Sequence, residues 1–345
     1  MRYGQGGGET QMTCINEILH FFPERLRSQW KASGIDASKI REIRLRVDRP
    51  VCVIGAEEIQ LPIQYGEREL EEIFRYLCHD SVYAYDSERR QGYMTVEGGH
   101  RIGITGELEP SEKGGFLVKY VRYMNIRIAH QIKNIAQSVI KYLYGQDLDK
   151  KWDAENSKEL YAAQATVGQL KNTLIVSAPG AGKTTLLRDI IRLVSDGYAG
   201  HKGCTVGVVD ERGEIAGAYR GKAMLDCGGR TDIVTGGDKM HGIDVLVRTF
   251  SPYVVAIDEI GKTEDAQAIL HAGVSGCCVL ATVHGTSIED LFCKKEMKRI
   301  LQLKIFERFV VLSMDRTSGL DRYFCVFDRE GRALCGKSLL QVPVS

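Results

Sequence analysis

Nine residues, Ser177-Ala-Pro-Gly-Ala-Gly-Lys-Thr-Thr185, link a short apolar run, Thr173-Leu-Ile-Val-Ser177, to a stretch from Thr184 to Val194. In that stretch Leu186, Leu187, Ile190, Ile191 and Val194 recur at helical spacing. A strand, a glycine-rich turn and a helix in that order restrict the fold more than any other feature of the chain. The turn meets the pattern G-x-x-x-x-G-K-[ST] except at its first position, where Ser177 stands in place of Gly. Gly180 and Gly182 let the backbone aim its N–H groups at phosphates. Lys183 would meet the β and γ phosphates, the Thr184 hydroxyl would ligate Mg²⁺, and the helix adds its positive end. Ser177, Ala178, Pro179, Gly180, Ala181, Gly182, Lys183, Thr184 and Thr185 are therefore the expected ATP-binding segment. The competing reading is a chance glycine-rich turn, which the flanking strand and helix disfavour.

Further short apolar strands are predicted at Thr205–Val209, Tyr253–Ile257 and Cys278–Val283, with helices at Thr263–His271 and Ser287–Ile300. Strands of this kind alternating with helices argue for a parallel α/β sheet covered on both faces. Phe309–Ser313 and Arg322–Phe327 read as a terminal hairpin. Polar groups cluster at the ends of these strands, the edge where open α/β sheets bind ligands. In Val254-Val-Ala-Ile-Asp-Glu-Ile260, Asp258 would hold Mg²⁺ through water and Glu259 would orient or deprotonate the attacking water. A surface acid pair is the bland alternative. In Val208-Val-Asp-Glu-Arg-Gly-Glu214, Glu211 or Glu214 could position water and Arg212 could contact phosphate or a neighbouring subunit. Its strand is expected beside the loop strand, and a solvated turn is the alternative. In Thr282-Val-His-Gly285, His284 could sense the γ-phosphate, although a lone histidine is more often structural.

The chain of 345 residues suggests two domains. Residues 1–13 read as a disordered tail and 14–145 as a smaller α+β domain. Residues 146–160, rich in Asp, Lys and Glu, read as a linker, and 161–340 as the phosphate-loop domain. In the first domain a helix is predicted from Cys14 to about Lys31 and another over Glu67–His79. Strands are predicted at Ile40–Val47, Pro50–Gly55 and Tyr123–Ala129, a hairpin over Gly92–Gly106 bending at Gly98-Gly99, and a closing helix at Val139–Tyr144. Arg101 and Arg127 lie in strand-like segments and could reach a transferring phosphoryl group. Arg44 and Arg46 are also candidates, but their alternation fits an exposed strand face.

Lys plus Arg (46) balances Asp plus Glu (45), so no global charge steers the chain toward nucleic acid or acidic lipid. No aromatic-basic strand platform stands out either. No apolar run approaches the about 20 residues needed to span a bilayer, and the N-terminus lacks the apolar core of a signal peptide. Ten cysteines without a C-x-x-C pair read as reduced core thiols, and no H-E-x-x-H marks a zinc site.

Asn172-Thr-Leu-Ile-Val-Ser-Ala-Pro-Gly-Ala-Gly-Lys-Thr-Thr-Leu-Leu-Arg-Asp189, Val209-Asp-Glu-Arg-Gly-Glu-Ile-Ala216, Ile257-Asp-Glu-Ile-Gly261 and Ala281-Thr-Val-His-Gly285 together resemble the stage III sporulation protein AA family. So do Glu42-Ile-Arg-Leu-Arg-Val47 and Gly98-Gly-His-Arg-Ile-Gly103. The resemblance runs in order from about residue 14 to 340. That family is similar to the hexameric ATPases of type II and type IV secretion and pilus systems. The resemblance implies an N-terminal domain hinged to a RecA-like ATPase domain and a homo-oligomeric, hexameric ring. It implies membrane-embedded sporulation channel proteins as partners, in the mother-cell cytoplasm and peripheral to the membrane. By position, Asp210–Glu214 match the family's acidic box and His284 its histidine box. Arg101 and Arg127 match N-terminal-domain arginines that could reach nucleotide. Asp258-Glu259 departs from the Gly-Glu common in the pilus motors. A nucleic-acid-stimulated RecA-like motor is the rival, and a module that binds nucleotide only for shape is a second.

Overall fold

Ile43 and Leu45 are fully buried while Glu42, Arg44 and Arg46 point the other way, so the predicted alternation builds strand β1 (Glu42–Arg46). Its companions are β2 (Pro50–Ile54), β3 (Glu58–Gln64), β4 (Tyr93–Val96), β5 (His100–Pro110) and β6 (Phe116–Arg127). They form an antiparallel sheet of order β3-β2-β1-β6-β5-β4. Helices α1 (Glu24–Ala32) and α2 (Glu67–Leu77) contribute Leu26, Trp30, Leu70, Ile73 and Phe74 to the core with the inward strand residues. Gly98 (φ +87°) and Gly99 (φ +76°) make the β4–β5 bend, a backbone that side-chain-bearing residues rarely adopt. This is the computed structural model of the chain, and it describes residues 18–79, 92–110, 116–145, 170–198, 200–314 and 322–339.

Two local expectations change in this unit. The helix expected over Cys14–Lys31 is interrupted, and α1 begins only after Pro23. Proline has no N–H for the preceding turn and biases the residue before it away from helix. Residues 14–17 lie outside the described residues. Strand β3, which contains Pro62, is not among the predicted strands. It is an edge strand, where a missing N–H costs no ladder bond.

His100 at the start of β5 is buried, and its Nδ1 accepts the Ala129 N–H at 3.1 Å. Burial, with minor contributions from His20 and His130, lowers its pKa from 6.5 to about 4. The unfolded chain therefore takes up this proton first as pH falls. The stabilisation is complete above about pH 6.5 and is lost on the way down to about pH 4, up to roughly 3 kcal/mol. We expect His100→Asn to flatten the fall in melting temperature over that window; an unchanged pH profile would contradict the assignment.

The chain divides into compact units between His130 and Gln131. The second unit opens with α3 (Gln137–Leu143), which buries Val139, Ile140 and Leu143 in that unit's core instead of closing the first domain. The linker expected at 146–160 lies outside the described residues. The unit's sheet consists of β7 (Thr173–Ser177), β10 (Val206–Asp210), β11 (Thr231–Thr235), β12 (Val254–Ile260), β13 (Cys278–His284), β14 (Arg308–Met314), β15 (Arg322–Asp328) and β16 (Ala333–Leu339). Two-residue strands β8 (Gly197–Tyr198) and β9 (His201–Lys202) pair separately. The order is β11-β10-β12-β13-β7-β14-β15-β16, parallel through β14 and antiparallel thereafter.

Helices α4 (Lys183–Asp196), α5 (Lys239–Phe250), α6 (Asp265–Val274), α7 (Ile288–Cys293) and α8 (Lys295–Gln302) complete the unit. Alternate residues of one strand serve two cores. Ile175 packs with α4, whereas Leu174 and Val176 pack with α5, α6 and α8. That two-sided burial is why these strands read as continuous apolar runs. The expected neighbour of β7 was β10; instead β13 and then β12 lie between them. The crossover from β7 through α4 passes two strand positions that later strands fill. Strand β14 forms the predicted antiparallel pair with β15 and also joins β7 in parallel. The helix expected over Ser287–Ile300 breaks at Lys294, where ψ is 122°. Strand β11, helix α5 with its internal Gly242, and β16 were not predicted. Among the described residues no helix is long and apolar enough to cross a membrane.

Candidate nucleotide site

Because β7, β10, β12 and β13 run parallel, Ser177, Asp210, Asp258, Glu259 and His284 all arrive at one edge of the sheet. His284 is the direct neighbour of Ser177. Gly180 (φ +79°) and Gly182 (φ +94°) shape the loop, and α4 starts at Lys183. Ser177 does not adopt a left-handed backbone, so glycine is not required there. Its side chain is buried and donates to the Ala178 carbonyl at 3.0 Å.

Strand β12 is irregular at its functional end. Ile257 pairs with Ala281 and Ile260 with Val283, so Asp258 and Glu259 together face the single residue Thr282. This is a β-bulge, and Glu259 takes φ +53° within it. A left-handed non-glycine residue costs on the order of 1–2 kcal/mol. Asp258 Oδ2 accepts from the Thr184 hydroxyl at 3.0 Å, and its Oδ1 accepts from the Thr282 hydroxyl. The Thr282 Oγ1 in turn accepts the Glu259 N–H at 2.8 Å. Glu259 Oε1 lies 2.7 Å from His284 Nε2, and its Oε2 accepts from Arg212 Nη1 at 3.0 Å. Lys183 Nζ is 3.5 Å from the same His284 nitrogen. Loop lysine, histidine and acid thus form one chain of contacts.

Thr184 and Asp258 present hard oxygen donors side by side. That suits Mg²⁺, which takes one or two protein oxygens and completes its shell with phosphates and water.

Asp210 is buried, and its carboxylate accepts the Glu214 and Ala216 N–H groups at 2.8 and 2.9 Å. Burial pushes its pKa up, opposed by those backbone donors. Arg188 of α4 reaches the Ile215 carbonyl and, at 2.8 Å, the Glu214 carbonyl, tying the loop helix to the acidic turn. Glu211 is engaged elsewhere, 3.0 Å from the buried Lys239 and 3.5 Å from Lys262. Burial pushes its carboxyl up, but Lys239 and Lys262 outweigh that and hold it below its usual range. Lys239 also lies 3.5 Å from Asp265, whose Oδ2 accepts the Gly261 and Lys262 N–H groups at 2.7 and 2.8 Å. We expect Asp265→Ala to destabilise the unit by roughly 3 kcal/mol, because it strips a partner from a buried ammonium and two backbone donors. A denaturation midpoint equal to wild type would disprove this. Glu211, Arg212, Glu214, Asp258, Glu259 and His284 all line one cleft of about 270 Å³.

In the first unit Arg101 and Arg127 are direct cross-strand partners on the outward face. Arg127 Nε lies 3.5 Å from Glu42, and the Arg101 guanidinium sits 3.8 Å over the Tyr93 ring. Like charges directly opposite each other repel, and one carboxylate, Glu42, also serves Arg44 at 3.2 Å. Arg46 pairs across to Tyr123 on the same face. The sheet therefore assembles an outward surface of arginines and tyrosines that no single sequence segment displays. Sequence reasoning also passed over Arg188, Lys239, Asp265 and the hydroxyl of Thr282. Only a polar Thr within the apolar run of β13 was a usable signal for any of them.

A phosphate-type loop feeding a helix, with carboxylates ending neighbouring parallel strands, defines a phosphate-loop α/β protein. X-ray structures of the ATPase DotB share this fold. The Legionella pneumophila protein gives a TM-score of 0.53 at 14% identity, covering 90% of this chain and 82% of that one. The Yersinia pseudotuberculosis protein gives 0.54 at 10%, covering 90% and 81%. The sequence model of the family "Sporulation stage III, protein AA" matches residues 12–334. Stage III sporulation protein AA of Bacillus subtilis (strain 168) is 33% identical over 329 residues, covering 93% of this chain and 97% of that protein. The chain belongs to the sporulation stage III protein AA family.

Proposed function

We propose that this chain is a Mg²⁺-dependent ATPase that converts ATP and water to ADP and phosphate and drives a membrane-bound sporulation assembly. The observation that carries this reading is the joint placement of Thr184 against Asp258 and of Glu259 against His284 at the mouth of the loop. Lys183 and the loop N–H groups bind and orient the β and γ phosphates. Thr184 and Asp258 would hold Mg²⁺, which supplies charge neutralisation on the phosphates when bound. Glu259 orients the attacking water and takes up its proton. His284, between Glu259 and Lys183, is placed to register the γ-phosphate. Arg101 and Arg127 are direct cross-strand partners, and by the resemblance to the family we assign them to the transferring phosphoryl group.

From the resemblance of the family to hexameric secretion ATPases we further assign a ring of identical subunits docked on membrane-embedded channel proteins in the mother-cell cytoplasm. Release of phosphate from ATP by the purified protein, abolished by chelating Mg²⁺, tests the chemistry. A pure, folded chain that binds ATP and releases none would refute it. Light scattering that stays monomeric with ATP across concentrations would refute the ring.

The arginine and tyrosine surface of the first sheet favours a second reading, a motor stimulated by single-stranded nucleic acid. Basic and aromatic side chains on a strand face track a phosphate backbone and stack bases. Turnover that rises on adding single-stranded DNA or RNA would support that reading, and indifference would remove it.

A further inference from the structure

We infer that Thr282 is a positioning residue for the proposed hydrolysis, holding the β12 bulge so that Asp258 and Glu259 both serve the loop. The inference rests on the ATPase reading above. In a regular strand, consecutive side chains point to opposite faces of the sheet. Asp258 and Glu259 are consecutive, yet one meets Thr184 and the other meets His284 and Arg212 at the same edge. The bulge makes this possible, and Thr282 is the residue opposite it.

A hydroxyl has one proton to donate and lone pairs to accept with. Thr282 uses both capacities: it donates to Asp258 Oδ1 and accepts the Glu259 N–H at 2.8 Å. With Thr184 on Oδ2, the Asp258 carboxylate is held between the loop helix and β13. The Glu259 backbone is held in its left-handed turn by the same oxygen.

Packing alone does not call for threonine. Thr282 is fully buried between Ala281 and Val283 in a strand buried on both sides, where valine has nearly the same shape. Burial also means that water cannot replace the hydroxyl once it is removed. Its branched Cβ restricts rotation, so the oxygen stays on the bulge.

The test compares Thr282→Val and Thr282→Ser in the full chain, each made alone and with Glu259→Gln. Thr282→Val is expected to lower kcat roughly 10–100-fold, as for loss of a partner that orients a functional ligand, while ATP affinity moves less than about threefold. Thr282→Ser should restore most of the rate. With Glu259→Gln present, Thr282→Val should cost less than the two single losses multiplied, since the part of its effect exerted through Glu259 is already gone and only the part through Asp258 remains. Thr282→Ala gives the same deletion if the Val variant fails to fold. Wild-type kcat in Thr282→Val, a Ser variant as slow as the Val variant, or a fully multiplicative loss with Glu259→Gln would each overturn the inference. A wild-type chain that binds ATP without hydrolysing it overturns the ATPase reading, and this inference with it.

Discussion

Glu259→Gln is expected to bind ATP about as well as wild type and to turn it over roughly 10²- to 10⁴-fold more slowly, the range for removing a general base. The substitution keeps the length of the side chain and the left-handed backbone of the bulge. What it removes is the capacity of this carboxylate to accept a proton from water. Glu259 is also paired with Arg212 and His284, so some loss of local order is expected. These partners are half-exposed, and surface pairs of this kind contribute about 1 kcal/mol or less. The melting temperature should therefore change little while kcat collapses. Phosphate release at the wild-type rate would show that another residue handles the water. Loss of ATP binding in step with turnover would show a structural role instead.

Lys183→Ala should differ in kind. On the proposed reading its ammonium would meet the β and γ phosphates in both the ground state and the transition state, so its removal should weaken ATP binding and slow turnover together. Loss of one such donor lowers the rate by about 10²–10³-fold. The 2.7 Å contact between His284 and Glu259 does not involve Lys183, so the Glu259 carboxylate should keep its place. Measuring affinity and kcat separately distinguishes the two variants. A Lys183→Ala chain that binds ATP normally would place the phosphates elsewhere.

Much of the second unit was legible from one-dimensional pattern. The run Thr173–Ser177, the glycine turn and the spaced apolar residues of α4 encode a strand, a loop and a helix through local geometry alone. Asp258 and Glu259 could be placed at a strand end because four apolar residues precede them. The DotB structures share the α/β fold class so read, and the family model matches the family that the sequence resembles. Less was legible in the glycine-rich segment before β11, where periodicity is weak and a short edge strand leaves little trace. Pro23 interrupts a helix that apolar spacing had extended, while Pro62 lies on an edge strand, where its missing N–H costs no ladder bond.

The acidic turn shows where such reasoning stops. Glu211 and Glu214 looked equivalent as candidates to position water. Folding gives Glu211 to Lys239 and Lys262, and engages the Glu214 backbone with Asp210 and Arg188. Lys239 lies far along the chain from Glu211, so no spacing rule could have joined them.

By itself the sequence determined which residues end the strands, where the phosphate loop lies and which side chains are acid, base or cation there. Those properties follow from periodicity and from the conformations that glycine alone adopts freely. The tertiary structure decided that β13 and β12 separate β7 from β10, that Arg101 faces Arg127, and that Thr282 stands opposite Asp258 and Glu259. Strand order and register are set by which faces can be buried together, a property of the whole sheet. A one-residue bulge in that register is what brings two consecutive carboxylates to the same edge.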